Sequence, residues 1–217
     1  MNQVIRYELE GDVALWVLDN PHKSTNTIDQ TFLDDLDSCI TRLQSEEGTR
    51  GAVVTSAKAL FLAGADLNDL ERNDEAMRKL PPAEMFEKVF SLSRLLRKLE
   101  TCGKPVACAI NGTAMGGGLE IALACHQRFI ADIPGLQIGL PEVQIGLLPA
   151  GGGTQRLSRM LGIQAAMPYL LEGKALDPQA ALAARVVDAV VPQGEIVERA
   201  KQWIRSSPDF VRSEEHT

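Results

Sequence analysis

The sequence predicts an α/β fold with a largely parallel sheet, on three observations. Apolar runs of strand length alternate with segments of helical periodicity along the whole chain, the pattern of strands joined by helical crossovers. Two glycine clusters, Gly116 to Gly118 and Gly151 to Gly153, each open a helical segment, the first close behind an apolar run. The chain is also long enough for a proper core, with 217 residues, 45% of them hydrophobic and 24% charged.

Residues 4–18 read as two strands turning at Gly11-Asp12, the second of them, Val13 to Leu18, the more buried. Asp19 to Ser24 is a turn cluster. Asp29 is placed to cap a helix across Phe32, Leu33, Leu36, Ile40 and Leu43, with Gly48 ending it. Gly51 to Thr55 is the next buried strand, and Ala59 to Leu67 follows as a loop unusually apolar for exposed chain. A charged segment, Asn68 to Pro82, leads to an amphipathic helix over Glu84 to Glu100. Its one apolar face carries Phe86, Val89, Phe90, Leu92, Leu95, Leu96 and Leu99.

Pro105 to Ile110 reads as a buried strand and Leu119 to Cys125 as a helix of small residues. Further helices are expected from Thr154 to Leu161, over Ala165 to Leu171 and near Pro178 to Ala184. Val186 to Val191 is then a strand and Glu195 to Arg205 a last helix. Ser206 to Thr217 is polar and lacks periodicity, so the chain divides into a domain at 1–205 and a tail at 206–217, expected to be disordered or a cut linker.

A net charge of −7 argues against nucleic acid as a partner and gives no attraction to anionic membranes, although a local cluster of Lys and Arg can still hold an anionic ligand. No membrane-length apolar run or signal peptide is visible, which makes the cytosol the expected compartment. Cys39, Cys102, Cys108 and Cys125 lack metal-type spacing, and three lie in apolar runs, so they read as reduced core thiols. His22, His126 and His216 are scattered, and no metal or other cofactor is expected.

The stretch from residue 105 to 156 carries the chemistry. A helix start leaves about four backbone N–H groups without partners and carries partial positive charge. Glycines there let a carbonyl or phosphate approach bare backbone. Glu120 follows Gly117 by three residues, so it lies about 4.5 Å further along the axis on the same side of the helix. A second acid, Glu142, follows Gly139-Leu140-Pro141 in what reads as a loop. Either glutamate alone is more often a surface or capping residue, and the glycines alone could serve only helix–strand packing. Together they are the equipment of acid/base chemistry at a polarised carbonyl. Alanine holds the nucleophile's place in Gly112-Thr113-Ala114-Met115-Gly116, and no phosphate-binding G-x-x-x-x-G-K-[ST] run occurs. Ala150-Gly151-Gly152-Gly153-Thr154 has the composition of an anion cradle without the dinucleotide spacing.

Phe61-Leu62-Ala63-Gly64-Ala65-Asp66-Leu67, Asn111-Gly112…Gly116-Gly117-Gly118-Leu119-Glu120 and Gly139-Leu140-Pro141-Glu142…Gly153-Thr154-Gln155-Arg156-Leu157 occur in an order and spacing that resemble the enoyl-CoA hydratase (crotonase) family. The likeness runs from about Val13 to Val191. Through Asn20-Pro21…Thr25-Asn26-Thr27 and Ser56-Ala57-Lys58, it most resembles the N-terminal hydratase half of the multifunctional fatty-acid oxidation alpha chain.

The resemblance implies a spiral of repeated strand–strand–helix units that binds acyl-CoA thioesters, either as a homotrimer or inside a fatty-acid oxidation complex. It also implies further C-terminal helices, so the chain is expected to be a truncated piece. By position, the amides of Ala65 and Gly117 would grip the thioester oxygen, Glu120 would activate water for attack at C3, and Glu142 would protonate C2. CoA would lie against Ala63, Gly64, Asp66 and Leu67, with Lys23 near its phosphates and CoA itself part of the substrate. The two carboxylates are expected to titrate as a coupled pair. Ala150 stands where the family often has glycine. Having both glutamates favours hydration of 2-trans-enoyl-CoA. The alternatives are a delta isomerase, in which the acid matching Glu120 is typically absent, and a piece that binds acyl-CoA with little turnover.

Overall fold

The computed structural model describes residues 3–66 and 79–207. Its main sheet has six strands in the order β1-β2-β3-β4-β6-β8: β1 (Ile5–Glu10), β2 (Val13–Leu18), β3 (Gly51–Ser56), β4 (Val106–Ile110), β6 (Gln127–Ala131) and β8 (Ala189–Val191). Only the β1–β2 hairpin is antiparallel; every later pair is parallel. The strands β2, β3 and β4 are buried along their whole length, as their unbroken apolar runs dictate for a covered parallel sheet.

A second, narrower ladder takes one short segment from each turn of the chain. Ile28 bridges Ala65, Leu62 bridges Ala114, β5 (Ala114–Met115) pairs with β7 (Ile138–Gly139), and Ile138 bridges Leu176. Each turn therefore gives one segment to the wide sheet and one to the narrow ladder, the strand–strand–helix spiral expected from the sequence.

The helices follow from capping and periodicity. Asp29 caps α1 (Gln30–Ser45), its side chain accepting from the Phe32 amide, and Phe32, Leu36, Cys39, Ile40 and Leu43 are buried beneath it. The helix stops at Ser45, three residues before Gly48, whose φ of +86° serves the turn that follows. α2 (Pro82–Glu100) packs on α1 and on α3 (Gly117–Ala124), which packs on α4 (Gly153–Leu161). α5 (Ile163–Leu171) and α6 (Pro178–Ala183) follow, and α7 (Ile196–Ser206) lies across β3, β4 and β6.

Four expectations need correction. The apolar stripe of α2 is not one buried face: Leu95, Leu96 and Leu99 are buried, whereas Phe86 (53% exposed), Val89 and Phe90 stand in solvent, the two phenyl rings stacked 4.3 Å apart. Helical period locates a face and says nothing about how much protein lies opposite it. Glu142 sits in a 3₁₀ turn, Pro141–Ile145, rather than a loop. The short strands β5 and β7 and the whole of β6 have no counterpart in the sequence reading. In β6, Gln127 and Arg128 interrupt the apolar run that would have marked it. The last strand is also only Ala189–Val191.

All four cysteines are buried free thiols. Leu67, nearly all of the segment between Asn68 and Pro82, and the tail beyond residue 207 lie outside the described residues. Among the described residues, no helix is long and apolar enough to cross a membrane, and no three His, Cys, Asp or Glu side chains are grouped to hold a metal ion.

Candidate active site

The site is assembled where the narrow ladder meets the first turn of α3. The ribbon at 61–65 lies between two others. On one side Ala63 donates to the Asn26 carbonyl at 3.0 Å and Ile28 donates to the Gly64 carbonyl at 2.8 Å. On the other, Phe61 donates to Thr113 at 3.0 Å and Met115 to Leu62 at 3.1 Å. Because Ile28 bonds to a residue flanking Ala65 in a parallel bridge, the N–H of Ala65 itself points away from Ile28, toward the side where residues 113–117 run.

Gly117, the first residue of α3, has an amide with no acceptor inside the helix by position. A Cβ added to Gly64 would stand 3.3 Å from that Gly117 nitrogen, and one added to Gly118 would stand 2.4 Å from the Leu62 carbonyl oxygen. Ribbon and helix meet backbone to backbone, and only glycine permits it. Gly64 and Gly117 therefore lie side by side, which brings the backbone at 65 and at 117 into one neighbourhood.

Glu120 is buried, with 2% of its surface exposed. Its Oε1 accepts from the Gly153 amide at 2.8 Å, at the start of α4. The loop with the composition of an anion cradle does hold an anion, and the anion is this carboxylate. Burial pushes the Glu120 carboxyl up. The amides of Gly153 and Gly151, the Arg156 guanidinium and the Gly152 amide pull it back toward the charged form.

Glu142 is seated differently. Its Oε1 lies 2.9 Å from where a Gly116 Cβ would be, against the residue that precedes Gly117. Its Oε2 is buried with no hydrogen-bond partner among the described residues. Burial above all, with the charge of Glu120 added and its own backbone amide pulling the other way, raises its carboxyl to about 7. Burial therefore raises both carboxyls, but at Glu120 three backbone amides and a guanidinium oppose the rise, whereas at Glu142 only its own backbone amide does.

Apolar side chains line this gap. Ile28 Cδ1 and Leu92 Cδ2 lie against Gly117, Leu92 also against Gly151, and Leu140 Cδ1 against Gly153. The sequence reading counted Leu92 only as part of a helix face and did not single out Ile28 or Leu140. It gave Arg156, quoted only within a motif, and Glu100 no role of their own. Their signal, an Arg one helical turn into α4 and a Glu ending an apolar stripe, is indistinguishable in sequence from surface charge.

The residues read as CoA-binding are split. Ala63 is exposed, Gly64 is buried, and Asp66 is half-buried. The Lys23 ammonium contacts Asp66 Oδ2 at 3.1 Å, Thr27 Oγ1 at 3.1 Å and Asp29 Oδ2 at 3.8 Å, so two carboxylates already share its charge. Lys58 Nζ donates to the carbonyls of Asn20 and Lys23, pinning the turn that carries Lys23.

The profile of the enoyl-CoA hydratase/isomerase family matches residues 8–214. The fatty acid oxidation complex subunit alpha of Shewanella frigidimarina is 40% identical over 194 residues, and that of Idiomarina loihiensis is 39% identical over 192. Each match covers 88% of this chain and 26% of the relative, so the chain spans about a quarter of the length of these curated relatives. The solved enoyl-CoA hydratase of Bacillus anthracis superposes with a TM-score of 0.82 at 29% identity, covering 94% of this chain and 76% of that one. One from Geobacillus kaustophilus, with a TM-score of 0.84 at 31% identity, covers 96% of this chain and 75% of its own. With the crotonase spiral and two glutamates at the mouth of a glycine-opened helix already in view, the chain belongs to the enoyl-CoA hydratase/isomerase family.

Proposed function

We propose that this chain hydrates 2-trans-enoyl-CoA thioesters to 3-hydroxyacyl-CoA, the water-adding step of fatty-acid β-oxidation. The observation that carries the reading is the pairing of unlike carboxyls: Glu120, whose rise through burial is opposed by an amide cradle and Arg156, and Glu142, raised to about 7 with one oxygen unbonded beside Gly116.

The thioester oxygen accepts from the amides of Ala65 and Gly117, and the enolate charge that builds there is met by fixed dipoles in a water-poor gap. Losing one such donor typically costs about 2.7–4 kcal/mol of transition-state stabilisation. Glu120 takes a proton from water as the oxygen bonds to C3. The π-electron pair moves through C2 toward the thioester, and Glu142 gives its proton to C2. Water is added across the double bond with no net proton gained or lost by the protein, since one glutamate gains what the other gives. Exchange with solvent resets the pair.

CoA lies along Ala63, Gly64, Asp66 and Leu67, with the Lys23 ammonium near its phosphates. A homotrimer or a place in a fatty-acid oxidation complex, and a cytosolic location, complete the proposal. They are supported by the alpha-subunit relatives and the acidic, hydratase-like sequence. The experiment is hydration of crotonyl-CoA, followed as loss of the conjugated-thioester absorbance. Turnover by the chain that is abolished in Glu120→Gln is the expected result. No turnover by folded protein that still binds CoA thioester overturns the reading in favour of a binding module.

A further inference from the structure

Behind the amide cradle lies a second layer of charge that the hydration mechanism does not use. The Arg156 side chain is 12% exposed and that of Glu100 only 7%. Arg156 forks onto the Glu100 carboxylate, Nε to Oε1 at 3.3 Å and Nη2 to Oε2 at 3.2 Å, and its remaining arm, Nη1, donates to the Gly151 carbonyl at 2.8 Å. The guanidinium also occupies the space in front of Gly152: a Cβ there would sit 2.3 Å from Nη1, and Gly152 takes a φ of +102°. The 151–153 loop is therefore laid directly on the guanidinium. Glu100 is tied down in turn, its carboxylate by Arg97 Nη1 at 3.1 Å and its carbonyl by His126 Nε2 at 2.9 Å. His126 Nδ1 accepts from the Val106 amide at 2.8 Å, linking this end of α2 to β4.

We propose that Arg156, anchored by Glu100, is a positioning residue that holds the 151–153 loop in register for Glu120 and places a compensating positive charge behind that carboxylate. The proposal rests on the reading of Glu120 as the base. Three features carry it. The fork fixes the guanidinium plane, which a single contact would leave free. All three directions of the guanidinium are spent on buried groups, which a merely surface ion pair would not require. And the positive charge of Arg156 acts on Glu120 from behind the loop, while the charge of Glu120 itself raises Glu142.

Glu120 faces Glu142 across the gap and Arg156 behind the loop; Arg156 faces Glu100, and Glu100 faces Arg97 and His126. This arrangement makes two substitutions diverge. Arg156→Gln removes the cation, so Glu120 should titrate higher. Glu100→Gln leaves that cation without its counter-ion, so Glu120 should titrate lower. A loop that merely loses its scaffold would give up amide bonds in both variants and move both upward.

The test is a carbon-13 NMR titration of the Glu120 side-chain carboxyl in the free protein, assigned with Glu120→Gln, alongside steady-state hydration of crotonyl-CoA. Opposite displacements in the two variants, with kcat down tenfold or more and KM within about threefold of wild type, are expected. Displacement of both in one direction, or of neither, overturns the proposal. Arg156→Lys keeps the charge and loses the fork, so it should titrate nearer wild type than Arg156→Gln yet lose kcat several-fold. If Arg156→Gln does not fold, this variant decides, and wild-type kcat in Arg156→Lys is then the overturning result. The NMR readout needs no turnover, so an inactive wild-type chain would sink the hydratase reading and leave this test standing.

Discussion

The seats of Glu120 and Glu142 differ in the element that carries each, in exposure and in hydrogen bonding. Glu120 projects from a regular helix, is buried, and is gripped through backbone amides of another element. Glu142 projects from a single 3₁₀ turn between Pro141 and a left-handed Gly146, is half-buried, and keeps one oxygen unbonded. Burial raises both, but only Glu120 receives compensation from behind. On the proposed reading, a carboxyl is made a base or an acid here by what stands behind it.

The comparison is broken most severely by Glu120→Gln. That variant should lose about 10²- to 10⁴-fold in kcat on crotonyl-CoA with little change in KM, because general-base assistance is worth that much. Activity within a few-fold of wild type would mean that the cradle serves packing alone.

Gly116→Ala should come next. The new methyl would stand 2.9 Å from Glu142 Oε1 at a φ of +55°, displacing that carboxylate while the Gly153–Glu120 bond remains. A fall of about tenfold to a hundredfold in kcat is expected, in keeping with misplacement of a catalytic group by about 1 Å. An unchanged rate would show that Glu142 need not occupy its observed seat.

The pH dependence sharpens the contrast further. In the free enzyme kcat/KM should fall as pH rises through about 7, as Glu142 loses the proton it must deliver, and should fall on the acid side as Glu120 gains one. Glu142→Gln should lack the alkaline limb in its residual activity.

The smallest effect is on stability. The Glu142 carboxyl is at about 7 in the folded chain against 4.5 in an ordinary environment, so its contribution is fully present below 4.5 and drains away as pH rises through 7. Glu142→Gln avoids that loss. It should be the more stable protein above pH 7 by about 1–2 kcal/mol, from 1.36 kcal/mol per unit discounted for partial exposure, and indistinguishable or weaker below pH 4.5. Denaturant midpoints at pH 4 and pH 8 measure this.

Sequence revealed the parts whose physics is local. The Gly116–Gly118 helix start, the acid one turn later and the Asp29 cap are all written within a few consecutive residues, and each is where it was expected. The split of α2 was not legible, because exposure of Phe86 and Phe90 depends on what is opposite them. The strand β6 was hidden because half its apolar character is replaced by Gln127 and Arg128, the latter paired with Asp188 sixty positions away. Glu100 and Arg156 were likewise illegible: fifty-six residues separate two partners that meet only after the spiral has closed.

The seam between α3 and the ribbon at Leu62 has a consequence for how this scaffold can diverge. The spacing between the Ala65 and Gly117 amides is set by main chain lying on main chain, with Gly118 against the Leu62 carbonyl and no side chain interposed. Substitutions at Ile28, Leu92 or Leu140 can reshape the acyl-facing walls, and changes at Glu120 or Glu142 can redirect where protons go. None of them resizes the grip itself. If that grip holds a thioester as proposed, one fixed handle is available to many chemistries, and descendants of such a chain are free to change reaction before they lose their hold on it.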